Sequence, residues 1–66
     1  MDEVKEFIVI EEEEGDRLDV YLSEQLGDMS RSYIQKLIKD KKVTVNDKIE
    51  KAKYLTKNND KIMVDV

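Results

Sequence analysis

The stretch Ser30-Arg31-Ser32-Tyr33-Ile34-Gln35-Lys36-Leu37-Ile38-Lys39 decides how this chain is read. At about 100° per residue, Ile34, Leu37 and Ile38 fall on one helical face with Tyr33 at its margin. Arg31, Ser32, Gln35, Lys36 and Lys39 fall on the opposite face. Ser30 is placed to cap the first turn with its hydroxyl. The pattern predicts a helix over about 31–39 with one side to pack and a polar, cationic side left open. An apolar stripe of this kind needs other elements to cover it, and both flanks supply them.

Upstream, residues 5–10 (Lys-Glu-Phe-Ile-Val-Ile) are rich in β-branched and aromatic side chains and predict a strand, which four glutamates and Gly15 then interrupt. Asp16 is a suitable N-cap, and Leu18, Tyr21, Leu22 and Leu26 recur at helical spacing up to Gly27, which is placed to end a first helix over about 17–26. Downstream, Val43-Thr44-Val45 alternates as a strand, and Asn46-Asp47 tolerates the left-handed backbone of a tight turn. Lys48-Ile49-Glu50 returns as the hairpin partner. Residues 51–57 are basic, with Ala52, Tyr54 and Leu55 as packing candidates. Asn58-Asn59-Asp60 reads as a turn and residues 61–66 as a final strand.

The predicted order is βααβββ, a small α+β domain with two helices packed on a mainly antiparallel sheet. It spans 1–66 as one unit, with an acidic strand and turn over 1–16 and the helices, hairpin and final strand over 17–66. A chain ending on a strand is expected to continue beyond Val66.

Sixty-six residues leave room for one core near the lower limit of independent folding. With neither cysteine nor histidine, disulfides and the usual zinc ligands are excluded, so stability must come from packing. The absence of cysteine suits a cytoplasmic location. No apolar run approaches the ~20 residues that span a bilayer, and the first residues lack the basic start and apolar core of a signal peptide, so no membrane association is expected.

Charge is unevenly distributed. The chain carries a net −4, yet residues 1–16 hold eight acids against Lys5, a balance of −7. Residues 30–58 hold nine bases against Asp40, Asp47 and Glu50, a balance of +6. Such polarity leaves a local surface suited to a polyanion despite the acidic total.

Arg31 and Ser32 lie in the first turn of the second helix, where backbone N–H groups and the helix dipole favour a phosphate. Lys36, Lys39, Lys41 and Lys42 extend that surface, and Lys48, Lys51 and Lys53 continue it along the hairpin. Taken alone, such a run is more commonly explained by solvation of an amphipathic helix. Gln35 and Asn46 are able to hydrogen-bond a base edge or ribose hydroxyl, and equally able to serve a helix surface and a turn. Tyr33 and Tyr54 are suited to stacking on bases, but Tyr33 fits the core margin equally well and both stay open, whereas Tyr21 is assigned to the core. The acids at 11–14 read as a solvated run, without the spacing of a calcium loop. Asp16 and Asp19 read as an N-cap and a first-turn acid complementing the dipole. No nucleophile with a base, phosphate-binding glycine loop or metal-ligand cluster is present, so neither catalysis nor a cofactor is expected.

Four segments together resemble a known family: Arg17-Leu18-Asp19-Val20-Tyr21-Leu22, Ser30-Arg31-Ser32-Tyr33-Ile34-Gln35-Lys36-Leu37-Ile38, Val43-Thr44-Val45-Asn46 and Asp60-Lys61-Ile62. They resemble the αL RNA-binding domain named after ribosomal small-subunit protein four. The wording Arg-Leu-Asp-Val-Tyr-Leu-Ser-Glu and Ser-Arg-Ser-Tyr-Ile-Gln-Lys-Leu-Ile is most similar to the N-terminal domain of bacterial large-subunit ribosomal RNA pseudouridine synthases.

The resemblance implies a monomeric accessory module for rRNA processing that recruits structured ribosomal RNA. The isomerase chemistry would lie in a covalently linked catalytic domain, whose catalytic aspartate belongs to a later motif and is not Asp19. By position, the family's RNA face falls on Arg17, Ser30, Arg31, Ser32, Gln35, Lys36, Lys39, Lys41, Lys42, Asn46 and Lys48. Three positions depart from the family pattern: Lys41 and Asp47 stand where glycine is common, and Asn59 replaces the glycine of Gly-Asp. A left-handed lysine costs about 1 kcal/mol, so the end of the second helix is expected to be locally reshaped. The other reading is a protein-interaction module docking on an acidic partner or on its own catalytic domain.

Overall fold

Alternation along Val43-Thr44-Val45 and along Lys61-Ile62-Met63-Val64-Asp65 turns Val43, Val45, Ile62 and Val64 to one side, and all four are buried. The computed structural model describes residues 3–65. These form β1 (Val4–Ile8), a 3₁₀ turn (Glu11–Glu13), α1 (Leu18–Gln25), α2 (Arg31–Lys39), β2 (Val43–Val45), β3 (Lys48–Ile49) and β4 (Lys61–Asp65). The strands make one antiparallel sheet in the order β1-β4-β2-β3. Register pairs Val43 with Val64 and Val45 with Ile62, so the four apolar side chains share the face on which the helices lie. Leu18, Tyr21, Leu22 and Leu26 from the first helical region and Ile34, Leu37 and Ile38 from α2 complete the core with Val9. The α+β architecture and the βααβββ order are those expected from sequence. The expected extension of the last strand to Val66 lies outside the described residues.

Boundaries differ where tertiary bonds replace local signals. β1 ends at Ile8 rather than Ile10. Val9 dives into the core, its N–H donating to the Asp60 carbonyl (2.9 Å) and its carbonyl accepting from Asn59 N–H (2.8 Å). Ile10 then begins the 3₁₀ turn and is half exposed.

Asp16 is not the N-cap of α1. Arg17 holds that place in extended conformation without a side-chain cap. The first helical donors are satisfied by backbone from the segment before β4: Leu18 N–H meets the Tyr54 carbonyl (2.7 Å) and Asp19 N–H the Ala52 carbonyl (3.2 Å). The Asp16 carbonyl instead accepts from Thr56 N–H (2.8 Å). Gly27 is not a left-handed stop, since Leu26 already closes the helix by donating to the Leu22 carbonyl (2.7 Å). Leu55, expected to pack, is 55% exposed, whereas Ala52 and Tyr54 do lie against the core.

Ser30 caps α2 as expected, its Oγ accepting from Tyr33 N–H at 3.2 Å. The end of α2 is not reshaped. Lys41 adopts φ 63°, donating to the Ile38 carbonyl (3.1 Å) while Lys42 N–H reaches the Leu37 carbonyl (2.9 Å). This paired closure satisfies two carbonyls that the helix leaves open, which offsets the cost of a lysine in the left-handed region. Asn46 (φ 53°) and Asp47 (φ 68°) make the expected two-residue hairpin turn between β2 and β3.

Candidate nucleic-acid interface

Leu18, Leu22 and Leu26 draw α1 against α2, and the packing carries Asp19 inside with them: its side chain is fully buried. A buried carboxylate must be paired and hydrogen-bonded to remain charged. Its Oδ1 accepts from Val20 N–H at 2.8 Å. Its Oδ2 accepts from Gln35 Nε2 at 2.9 Å and from the Arg17 guanidinium at 3.2 Å, with the Arg31 guanidinium at 3.7 Å. Burial, the largest single influence, pushes the carboxyl upward. The bonds from Gln35 and Val20 and the fields of Arg17 and Arg31 together outweigh it and hold the group below the ordinary aspartate value.

Asp19 thereby fixes three side chains that the sequence assigned to the RNA face. The Arg17 and Arg31 side chains remain 48% and 55% exposed. Each guanidinium carries five N–H donors, so one edge can rest on the carboxylate while others face solvent. The cluster of two cations on one anion keeps a net positive charge.

Ser30, Ser32, Lys36 and Lys39 continue along the exposed side of α2, and Lys41 and Lys42 follow at its end. Ser30 Oγ is already committed as the helix cap. Lys48 is exposed on β3, one of the two edge strands, and no hydrogen bond or ion pair among the described residues joins it to the Asp19 cluster. Asn46 belongs to the scaffold: its Oδ1 accepts from Lys61 N–H (3.0 Å) and its Nδ2 donates to Asp60 (2.9 Å).

Asp60, buried at 6% exposure, also accepts from Tyr54 OH at 2.7 Å and from Lys57 N–H at 2.9 Å. Burial pushes the Tyr54 phenol up to about 12, aided by its bond to Asp60 and the nearby charges of Asp60 and Glu50. Tyr54 is thus tied into the fold at its hydroxyl, while Tyr33 is 45% exposed and Tyr21 is in the core as expected.

The acidic segment is held elsewhere. Glu13 accepts from Gln25 Nε2 (2.9 Å) and Glu14 from Asn58 N–H (3.1 Å), at the far end of α1 and on the segment before β4. Among the described residues, both ion pairs fall on Asp19 and none on residues 11–14.

Asp19, which holds this cluster together, is the residue whose role sequence reasoning missed. Its signal was present: it stands three residues before Leu22 and seven before Leu26, a carboxylate inside an apolar stripe. Periodicity alone could not name its partners, since Gln35 and Arg31 come from another helix. Compared with known protein families, residues 16–62 match the S4 domain. No curated protein matches the chain.

Proposed function

Because the chain belongs to the S4 domain family of RNA-binding domains, we propose that it recruits structured ribosomal RNA to a pseudouridine synthase catalytic domain carried by the same protein. It does so as a cytoplasmic monomer and leaves the chemistry to its partner domain, the S4 domain being non-catalytic by itself. The observation that carries the RNA-binding step is the pair of half-exposed guanidiniums, Arg17 and Arg31, pinned by one buried carboxylate beside the start of α2. Cations fixed before binding lose less conformational freedom when they meet phosphate. Backbone contacts of this kind position a folded RNA by shape and charge. The synthase assignment is supported by the wording of residues 17–24 and 30–38.

Titration of ribosomal RNA fragments tests the first step. Arg31→Glu combined with Lys39→Glu should weaken binding at least about tenfold at low salt, with a flatter salt dependence than the parent chain. Unchanged affinity would remove the proposal. The second step is tested in the full-length protein, where deleting this domain should lower uridine isomerisation in ribosomal RNA. A pull-down that keeps its protein partner after ribonuclease treatment would instead favour docking on an acidic protein.

A further inference from the structure

Beside the arginine cluster an open groove of ≈ 400 Å³ separates α2 from β3 and the segment that follows. Ile38, Ile49 and Ala52 contribute apolar surface, Lys39, Lys41 and Lys51 contribute three cations against the one carboxylate of Glu50, and Gln35 closes the end nearest Asp19. A second hollow of ≈ 440 Å³ adjoins it through Ile49, Glu50 and Lys51 and runs on to Lys53 and Tyr54. Ile49 belongs to both and is half exposed. An apolar floor edged by lysines is not what a continuous paired helix requires, because duplex RNA offers phosphates and ribose hydroxyls while its base faces stay stacked.

We propose that this groove holds one unstacked nucleobase of the bound RNA, a bulged or looped nucleotide. Its flat face rests on Ile49 and Ala52, and its flanking phosphates meet Lys39, Lys41 and Lys51. Three lysines against one acid complement the charge of a nucleotide, and the groove is continuous with the arginine cluster, since Gln35 belongs to both. The bond to Asp19 consumes one N–H of the Gln35 amide and directs its nitrogen inward, leaving its oxygen to accept from a base edge. The proposal rests on the RNA-binding reading above and adds the feature of RNA that is selected.

The test compares two hairpin RNAs of equal length, one fully paired and one carrying a single bulged 2-aminopurine, against the whole chain and Ile49→Ser. The parent chain should bind the bulged RNA about tenfold more tightly and change the 2-aminopurine fluorescence in a saturable way. Ile49→Ser should lose that preference and keep its affinity for the paired hairpin, with an unaltered circular dichroism spectrum confirming its fold. Equal binding of both RNAs by the parent chain overturns the groove while leaving RNA recognition intact. Failure to bind either RNA overturns both readings. A bulge preference that Ile49→Ser retains, together with the fluorescence change, also overturns the groove and leaves it open to a protein segment.

Discussion

Asp19 and Asp60 show how much a single buried carboxylate can organise in a chain this short. Both titrate below their ordinary value because hydrogen bonds and neighbouring cations outweigh the upward push of burial. A carboxyl depressed in the folded state contributes stability above its unfolded value, near 3.8, and that contribution is lost as pH falls through the folded value. Urea unfolding followed from neutral to acidic pH should therefore show stability falling below about pH 4, and Asp60→Asn should flatten the decline. At the other extreme, Tyr54 and Tyr21 are both raised to about 12. Stability contributed by a raised phenol is complete below its unfolded value of 10.0 and is lost as pH climbs through about 12, so alkaline unfolding should track phenolate absorbance. Tyr54→Phe removes the donor to Asp60 and should cost about 1 kcal/mol.

At the scale of elements, four residues other than glycine, Lys41, Asn46, Asp47 and Asn59, hold left-handed backbone, and two of them are sites where stability can be gained. Lys41→Gly at the end of α2 and Asp47→Gly in the hairpin should each stabilise the domain by about 0.5–1 kcal/mol. Each should raise the urea midpoint without changing the slope. The outcome at Lys41 also shows where sequence reading fell short. The lysine in place of glycine is visible in the sequence, but the two closing bonds to Leu37 and Ile38 are not, so the sequence predicts a reshaped helix end and an intact one is found. α2 itself was legible to the residue because its cap, its apolar stripe and its length all agree. α1 was less so: its first donors are satisfied by carbonyls more than thirty residues away, at Ala52 and Tyr54, and no local signal announces such partners. By contrast, periodicity alone could place the residues proposed to bind RNA on the exposed side of α2, while the commitment of Asn46 to Asp60 and Lys61 emerged only with the sheet in place.

Over the whole molecule the governing feature is the separation of an acidic start from a basic remainder within dimensions of 31 × 22 × 18 Å. Screening lengths run from about 30 Å at 0.01 M salt to about 8 Å at 0.15 M, so the acids at 11–14 can repel RNA across the domain only in dilute salt. Replacing those four glutamates with glutamine should raise RNA affinity at low ionic strength, with the gain vanishing near 0.15 M. A gain that persisted at the higher salt would mean that the acidic run lies against the RNA itself. The sheet order carries a different message. β1 and β4 are antiparallel neighbours with Val4 opposite Asp65, so the two ends of the described fold lie side by side at the same end of two adjacent strands. A domain with such adjacent ends can be spliced into a surface loop of a host protein, or circularly permuted across a short linker, without threading the chain through its own core.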